Sequence, residues 1–226
     1  MNLNSVKKEL SAVQMPPPRY SGPMGRRSYH HGDLKNALVD AATRLIDSKG
    51  VAGLSLRGVA REAGVSQAAP YHHFKDKEAL VAELCAQAFT DLSGRMREGL
   101  VDAEGGLDSL EAIGRAYLHF ARERQAWFAI MWGGDIEDKE AYPEVVQTAR
   151  CTFDLLVDVI VRGQQAGCIV AGDPIELSVS AWAAVHGAAR LIVDKGIDND
   201  GMREKGVDAA LVERATLAMV RRSLTP

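Results

Sequence analysis

The sequence predicts an all-α protein with a small three-helix head followed by a larger helical body. Apolar residues recur at i, i+3 and i+4 through most of the chain after residue 32, as on helices with one buried face. No stretch shows the strict alternation of a half-buried β-strand. The 226 residues are 46% apolar, which is enough to bury a core.

The first 28 residues differ from the rest. They contain four prolines, Pro16, Pro17, Pro18 and Pro23, and almost no apolar periodicity. This composition predicts a flexible basic arm over residues 1–28, which ends close to Arg26 and Arg27.

The head begins with a helix predicted over Asp33–Ser48 and stopped by Gly50. A second apolar helical face runs from Leu54 to Ala63, where Gly64 supplies a left-handed stop. Ser66 is a good N-cap for a third, short helix reaching Phe74, and Asp76 can cap the next helix. Pro70 removes about the first hydrogen bond of the third helix, which allows a tight or 3₁₀ turn there. Two short helices joined by a glycine turn have the layout of a helix-turn-helix. The buried face of the first helix consists of Leu34, Ala37, Leu38, Ala41, Ala42, Leu45 and Ile46.

The head resembles the DNA-binding signature of the tetracycline-repressor (TetR) family of bacterial regulators, over residues 29–84. The residues that carry the resemblance are Leu56, Val59, Ala60, Ala63, Gly64, Val65, Ser66, Tyr71, Phe74, Lys77 and Leu80. The resemblance implies a DNA-binding domain over residues 29–80 and an effector-binding and dimerisation domain over residues 81–226. It also implies that the second helix of the motif enters the DNA major groove.

Particular DNA contacts follow from this resemblance. Gln67, Ala68 and Ala69 occupy base-reading positions, and a glutamine side chain can bond an adenine edge bidentately. Arg57 is expected to reach a phosphate or a guanine, and Ser66 opens the recognition helix. The positions near phosphates are those of Tyr71, His72, His73 and Lys77.

Charge is distributed unevenly along the chain. Residues 1–75 hold 11 basic and 5 acidic side chains, whereas the whole chain has a formal charge of −3. A basic N-terminal part is what phosphate binding requires. The arm either enters the minor groove, as homeodomain arms do, or is a solvated tail without a partner.

The body is predicted to contain six helices, and Asp173 followed by Pro174 marks one start clearly. The predicted ranges are 77–100, 107–122, 125–131, 143–166, 174–195 and 207–223. Cys85, Cys151 and Cys168 fall in apolar helical patterns and are expected to be buried thiols.

The body resembles the TetR C-terminal domain type named for a Trp-His-Gly motif, through residues 182–187 and the aromatic run 127–132. Aromatic residues concentrated in this region suggest a cavity for a small apolar or aromatic effector, although ordinary core packing explains each of them singly. His186 is either the polar group of this cavity or a satisfied core histidine. The candidate effector-binding residues are Trp127, Phe128, Met131, Trp132, Phe153, Trp182 and His186.

The last two helices carry stripes of small apolar residues, which favour close packing between subunits or against the subunit's own core. A homodimer with a four-helix interface is implied by the family resemblance. The two stripes are Ala181, Ala184, Val185, Ala188 and Leu191, and Ala210, Leu211, Ala215, Ala218 and Met219.

These observations predict a cytoplasmic transcriptional regulator, with a palindromic double-stranded DNA operator, a small-molecule effector and a second copy of the chain as its partners. A repressor released by its effector is the first hypothesis, and a ligand-independent DNA-binding regulator with a filled core is the alternative. The chain has none of the GxSxG, phosphate-loop or HExxH motifs, so an enzyme is not expected. Adjacent histidines chelate metals poorly, and no metal, cofactor or membrane span is expected.

Overall fold

The structure, a computed structural model, describes residues 31–226, with side chains from residue 34 onward. The predicted arm, residues 1–28, and the His30-His31 pair lie outside the described residues or side chains. All regular elements from residue 31 onward are helical, as the periodicity predicts. The α-helices are α1 His31–Lys49, α2 Leu56–Ala63, α3 Lys77–Val101, α4 Gly106–Glu123, α5 Gln125–Trp132, α6 Pro143–Gln165, α7 Pro174–Val193, α8 Asp200–Glu204 and α9 Ala209–Leu224.

Three predicted helix boundaries are confirmed by their capping bonds. Gly64 ends α2 in the left-handed conformation at φ 70°, and the Val65 N–H donates to the Ala60 carbonyl at 3.0 Å. The Asp76 carboxylate accepts from the Ala79 N–H at 2.8 Å at the start of α3. Asp173 accepts from the Ile175 N–H at 2.7 Å at the start of α7. The short helix α8 was not predicted.

The second helix of the predicted helix-turn-helix is shorter than predicted and has the tight form that Pro70 allows. A turn follows Ser66, and a 3₁₀-helix spans Ala69–His72 within the predicted range from Ser66 to Phe74. Pro70 has no N–H to donate to the Ser66 carbonyl, which accepts from the Ala69 N–H at 3.0 Å instead. The predicted N-cap role of Ser66 is therefore wrong.

The body is built around α3 and α4. Helix α3 packs against α4, α5 and α6, while α4 also packs against α6, α7 and α9. Gly114 permits the close approach on α4, because a Cβ atom there would lie 2.8 Å from a methyl carbon of Leu217 on α9. Helices α7 and α9 pack against each other on the same side of α4.

The head and the body share one continuous core within residues 34–226. Trp127 on α5 joins them directly, since its indole N–H donates to an Asp47 carboxylate oxygen of α1 at 2.8 Å. The Arg124 guanidinium lies over the same indole ring, 4.9 Å from its centroid. The head is therefore joined to the body by a shared core and by this hydrogen bond.

The three cysteines do not share one environment. Cys85 on α3 is buried as expected, but Cys151 and Cys168 are exposed, so the predicted burial is wrong for those two. Cys151 lies on the outer face of α6, and Cys168 lies in the turn after that helix. Among residues 31–226, no helix combines the length and the low polarity needed to cross a membrane.

Candidate functional site

The helix-turn-helix segment presents an exposed surface next to a firmly packed base. Pro70 and Phe74 are buried beneath it, and Phe74 belongs to the hydrophobic core. Tyr71 is 53% exposed. The alternation arises because the 3₁₀ turn repeats every three residues, so side chains on the outer side stay clear of the core. The exposed predicted DNA contacts are Arg57, Ser66, Gln67, Ala68, Tyr71 and His72.

The remaining predicted DNA contacts are partly withdrawn. Ala69 and His73 are half-buried, and the His73 Nε2 atom is enclosed without a hydrogen-bond partner among the described residues. The Lys77 ammonium donates to the Val51 carbonyl at 3.3 Å, so it must leave that oxygen to reach a phosphate. Lys75, which sequence reasoning missed, is an exposed cation between the 3₁₀-helix and α3.

A cavity of about 470 Å³ lies in the body between α3, α4, α6, α7 and α9. Its wall is mostly aliphatic and aromatic, a composition typical of small-molecule sites. Helix α5 contributes only Trp132, the last residue of the helix. The wall includes Phe89, Leu92, Met96, Leu110, Ile113, Tyr117, Trp132, Val145, Phe153, Leu156, Val179, Trp182, Val185, Leu217 and Val220.

The structure divides the predicted effector-binding residues into two groups. Trp132, Phe153 and Trp182 line the cavity, whereas the other four do not. Phe128 and Met131 are fully buried behind the wall, and Trp127 points from α5 towards the head. Successive residues of α5 project in different directions around one short helix, so a run of aromatic residues cannot all face one space. The four that do not line the cavity are Trp127, Phe128, Met131 and His186.

His186 supports the wall from behind. Its Nδ1 atom and the Tyr117 hydroxyl share a hydrogen bond of 2.8 Å, and its ring centroid lies 4.7 Å from that of Trp132. Burial and the neighbouring Arg190 charge lower the pKa of His186, which favours the neutral imidazole. Burial raises the pKa of Tyr117. Tyr117 lines the cavity, so His186 acts as a satisfied core histidine that orients it.

Three residues of the stripe predicted on α7 pack against the subunit's own core, the second of the two predicted arrangements. Ala181, Val185 and Ala188 are buried within the subunit, where α7 packs against α4 and α9. The outer face of α7 carries an apolar ladder that shares only Leu191 with the predicted stripe and is made of Ile175, Val179, Ala183, Gly187 and Leu191. On α9, Met219 is 48% exposed and Ala210 and Ala215 are also exposed. A one-position rotation of the helix separates the two stripes, and helical spacing alone does not distinguish them.

Ion pairs join α9 to α4 in the body. Glu213 on α9 is buried and accepts from Arg115 of α4 at 3.1 Å, with His119 Nε2 at 3.3 Å. Arg221 of α9 pairs with Asp108 of α4 at 2.7 Å. These bonds fasten α9 to α4. From residue 34 onward, no three acidic, histidine or cysteine side chains cluster closely enough to hold a metal ion.

Known proteins with similar sequences and folds agree with this arrangement. Residues 38–84 match the family model for bacterial regulatory proteins of the tetR family, and residues 110–219 match that for the tetracyclin repressor-like C-terminal domain. The HTH-type transcriptional regulator Rv1816 of Mycobacterium tuberculosis is 28% identical over 156 residues, or 67% of this chain and 66% of its own length. This chain therefore spans just under two thirds of that relative.

Solved structures extend the similarity over most of the chain. A protein of unknown function from Rhodococcus sp. RHA1 is 34% identical with a TM-score of 0.75, covering 89% of this chain and 100% of its own. The TetR family transcriptional regulator PfmR from Thermus thermophilus shares the fold at 21% identity and a TM-score of 0.61, covering 82% of this chain and 97% of its own. The head and body models together match more than half of the chain. The chain belongs to the tetR family of bacterial regulatory proteins.

Proposed function

We propose that this protein is a cytoplasmic repressor that binds a palindromic operator as a homodimer and is released by a small apolar effector. The exposed surface of the helix-turn-helix supplies the DNA contacts. Gln67 reads a base edge, with Ala68 and Ala69 allowing close approach. Arg57 and Tyr71 meet phosphates, and Lys77 joins them when it leaves the Val51 carbonyl.

The observation that carries this proposal is the position of helix α5 between the cavity and the head. Trp132 at one end of α5 lines the cavity, and Trp127, five residues earlier, is bonded to Asp47 of α1. An effector that displaces the Trp132 ring also moves α5, and the Trp127–Asp47 bond transmits that movement to the head. The effector then favours a head spacing that no longer matches successive major grooves, about 34 Å apart.

The Trp-His-Gly subtype of the C-terminal domain is also a proposal, supported by three positions of α7. Trp182 lines the cavity, and His186 holds Tyr117 in the wall. Gly187 lies on the outer face, where an added Cβ atom would meet open space. The motif therefore joins the cavity side of the helix to a surface on which a second helix can approach closely.

Selection of bound duplexes from random DNA tests operator binding, and a compound screen on the selected site tests release. We expect a palindromic site, and Gln67→Ala should relax the preference at one base pair in each half-site, by about 1–3 kcal/mol. Lys75→Gln is the matched control, because an exposed cation without a base contact should weaken all sequences equally. An unchanged selected site for Gln67→Ala contradicts the proposed docking. A compound screen without any release supports the ligand-independent alternative instead.

Dimerisation through the outer faces of α7 and α9 is tested by Ala183→Arg. The added guanidinium would lie in the centre of the proposed interface, and we expect monomers of half the wild-type mass in sedimentation. Met202→Arg, at an exposed position on the short helix α8, adds the same single charge elsewhere and should remain dimeric. Wild-type protein that sediments as a monomer at micromolar concentration contradicts the proposed dimer.

A further inference from the structure

The cavity wall contains one cation whose charge is not balanced by a neighbouring carboxylate. Lys139 lies in a 3₁₀ turn after α5, lines the cavity and is half-buried. Its ammonium donates to the Met131 carbonyl at 2.9 Å and lies 6.0 Å from the centroid of the Trp132 ring. Within residues 34–226 it forms no ion pair, and the neighbouring Asp138 and Glu140 are exposed, although Glu140 also lines the cavity.

The other two cations of the wall are already balanced or solvated. Arg221 pairs with Asp108 at 2.7 Å and with Glu111 at 3.3 Å. Arg150 lies at the rim, where its side chain is 80% exposed and faces Asp154 at 3.6 Å. Only for Lys139, among the cations that line the cavity in the described part of the chain, would an incoming anion replace a missing partner.

The Cys85 thiol, whose pKa the Lys139 charge affects, does not neutralise that charge. Burial raises the pKa of the Cys85 thiol to about 11, and the Lys139 charge offsets part of that rise. Cys85 is therefore a neutral thiol at neutral pH, although the ammonium acts on it through the protein interior. A half-buried charge in an apolar wall is destabilising unless it is paired. A ligand anion would offset this desolvation penalty by forming a charge-assisted hydrogen bond.

We propose that the effector is an amphipathic anion: an apolar body in the cavity with a carboxylate, or a group of like charge, on the Lys139 ammonium. This inference rests on the proposed effector site and narrows its ligand from any small apolar compound to an apolar acid. The carboxylate takes an N–H of Lys139 that does not bond Met131, beside the face of Trp132. The bound ligand therefore contacts Trp132, the only residue of α5 in the described cavity wall.

The test compares two ligands that differ in charge but have the same chain, decanoate and 1-decanol. N-phenyl-1-naphthylamine, a neutral dye that brightens in apolar sites, reports occupancy of the cavity, and each ligand is titrated to displace it at pH 8. We expect the wild-type protein to prefer decanoate by about tenfold, since a hydrogen bond to a charged group is worth that much or more. In Lys139→Met, which keeps the apolar stem, 1-decanol should become the better ligand.

Two control variants separate the role of Lys139 from general charge effects. Lys139→Arg keeps a cation and should keep the preference for decanoate, and Arg150→Gln removes the exposed rim cation and should leave the ratio within about twofold. Dye affinity that stays unchanged across the variants shows that the cavity itself is intact. Operator binding is measured separately, so a failure of release contradicts the proposed function without bearing on ligand charge.

The inference is overturned if the wild-type protein prefers 1-decanol, or if Lys139→Met keeps the preference for decanoate. It is also overturned if the wild-type protein binds neither the dye nor decanoate, with tryptophan emission as a second readout of binding. If the protein binds the dye and 1-decanol but not decanoate, the proposed effector site is retained, but its ligands are neutral compounds and the proposed anion is wrong.

Discussion

The helix-turn-helix surface and the cavity wall differ in how much of the fold depends on each side chain. Gln67, Tyr71 and His72 project from the head into solvent, above a base formed by Pro70 and Phe74. In the cavity wall, the same residues that would meet a ligand also hold five helices together. Function at the first surface can therefore change with little effect on stability, whereas function in the cavity changes together with the core.

A pair of aromatic substitutions tests this difference most strongly. Phe128→Ala removes a fully buried ring behind the cavity wall and should lower the free energy of unfolding by about 3–5 kcal/mol. Tyr71→Ala removes an exposed ring and should change it by no more than about 0.5 kcal/mol. Urea unfolding followed by circular dichroism measures both. Similar losses for the two variants would contradict the contrast between the two regions.

The head could be predicted in more detail than the cavity because its signals are local. A glycine stop at Gly64 and a carboxylate cap at Asp76 each act within five residues, and both are confirmed. Pro70 is compatible with a 3₁₀ turn as well as with an α-helical first turn, and the structure has the 3₁₀ turn. Local sequence signals do not indicate the direction from which a distant segment of the chain packs against a helix.

The cavity depends on that missing information. Helical spacing predicted a buried face on each body helix, but it could not tell core from cavity, since both are apolar. Phe89 and Leu217, far apart in sequence, meet in one wall, while Trp127 and Trp132 on one short helix do not. Lys139 was missed because a single lysine in a polar loop gives no periodic signal. Crossing angles and contacts between distant segments decide these placements.

Trp127→Phe should sharpen the comparison, because Trp127 joins the two regions. An aromatic ring remains, but it is smaller than the indole and the hydrogen bond to Asp47 is lost, so the loss of stability is at least the roughly 0.5–1.5 kcal/mol that one such bond is worth. Operator affinity without effector should stay close to that of the wild-type protein. The effector-induced loss of that affinity should shrink about five- to tenfold, which fluorescence anisotropy with labelled operator measures.

Substitutions at the acceptor separate this bond from general damage to α5. Asp47→Asn keeps an oxygen that accepts from the indole and should preserve the coupling, while Asp47→Ala should reduce it as Trp127→Phe does. Full release by effector in both Trp127→Phe and Asp47→Ala would show that the movement reaches the head by another route.

The smallest expected effect concerns pH and arises behind the cavity wall. Because burial and the Arg190 charge lower the pKa of His186, the folded protein binds fewer protons there than the unfolded chain just below pH 6.5. Stability should therefore rise with pH as the unfolded-state histidine loses its proton, and fall as the pH drops below about 6.5. The neutral imidazole also keeps Nδ1 able to accept from the Tyr117 hydroxyl.

Urea unfolding between about pH 5 and pH 8 should thus be less pH-dependent in His186→Gln than in the wild-type protein, since glutamine does not titrate. His119, the other half-exposed histidine of the body, is common to both proteins and cancels in the difference. Identical pH profiles for the two proteins would show that His186 titrates as it does in the unfolded chain. Its neutral form would then contribute nothing to the stability of the protein.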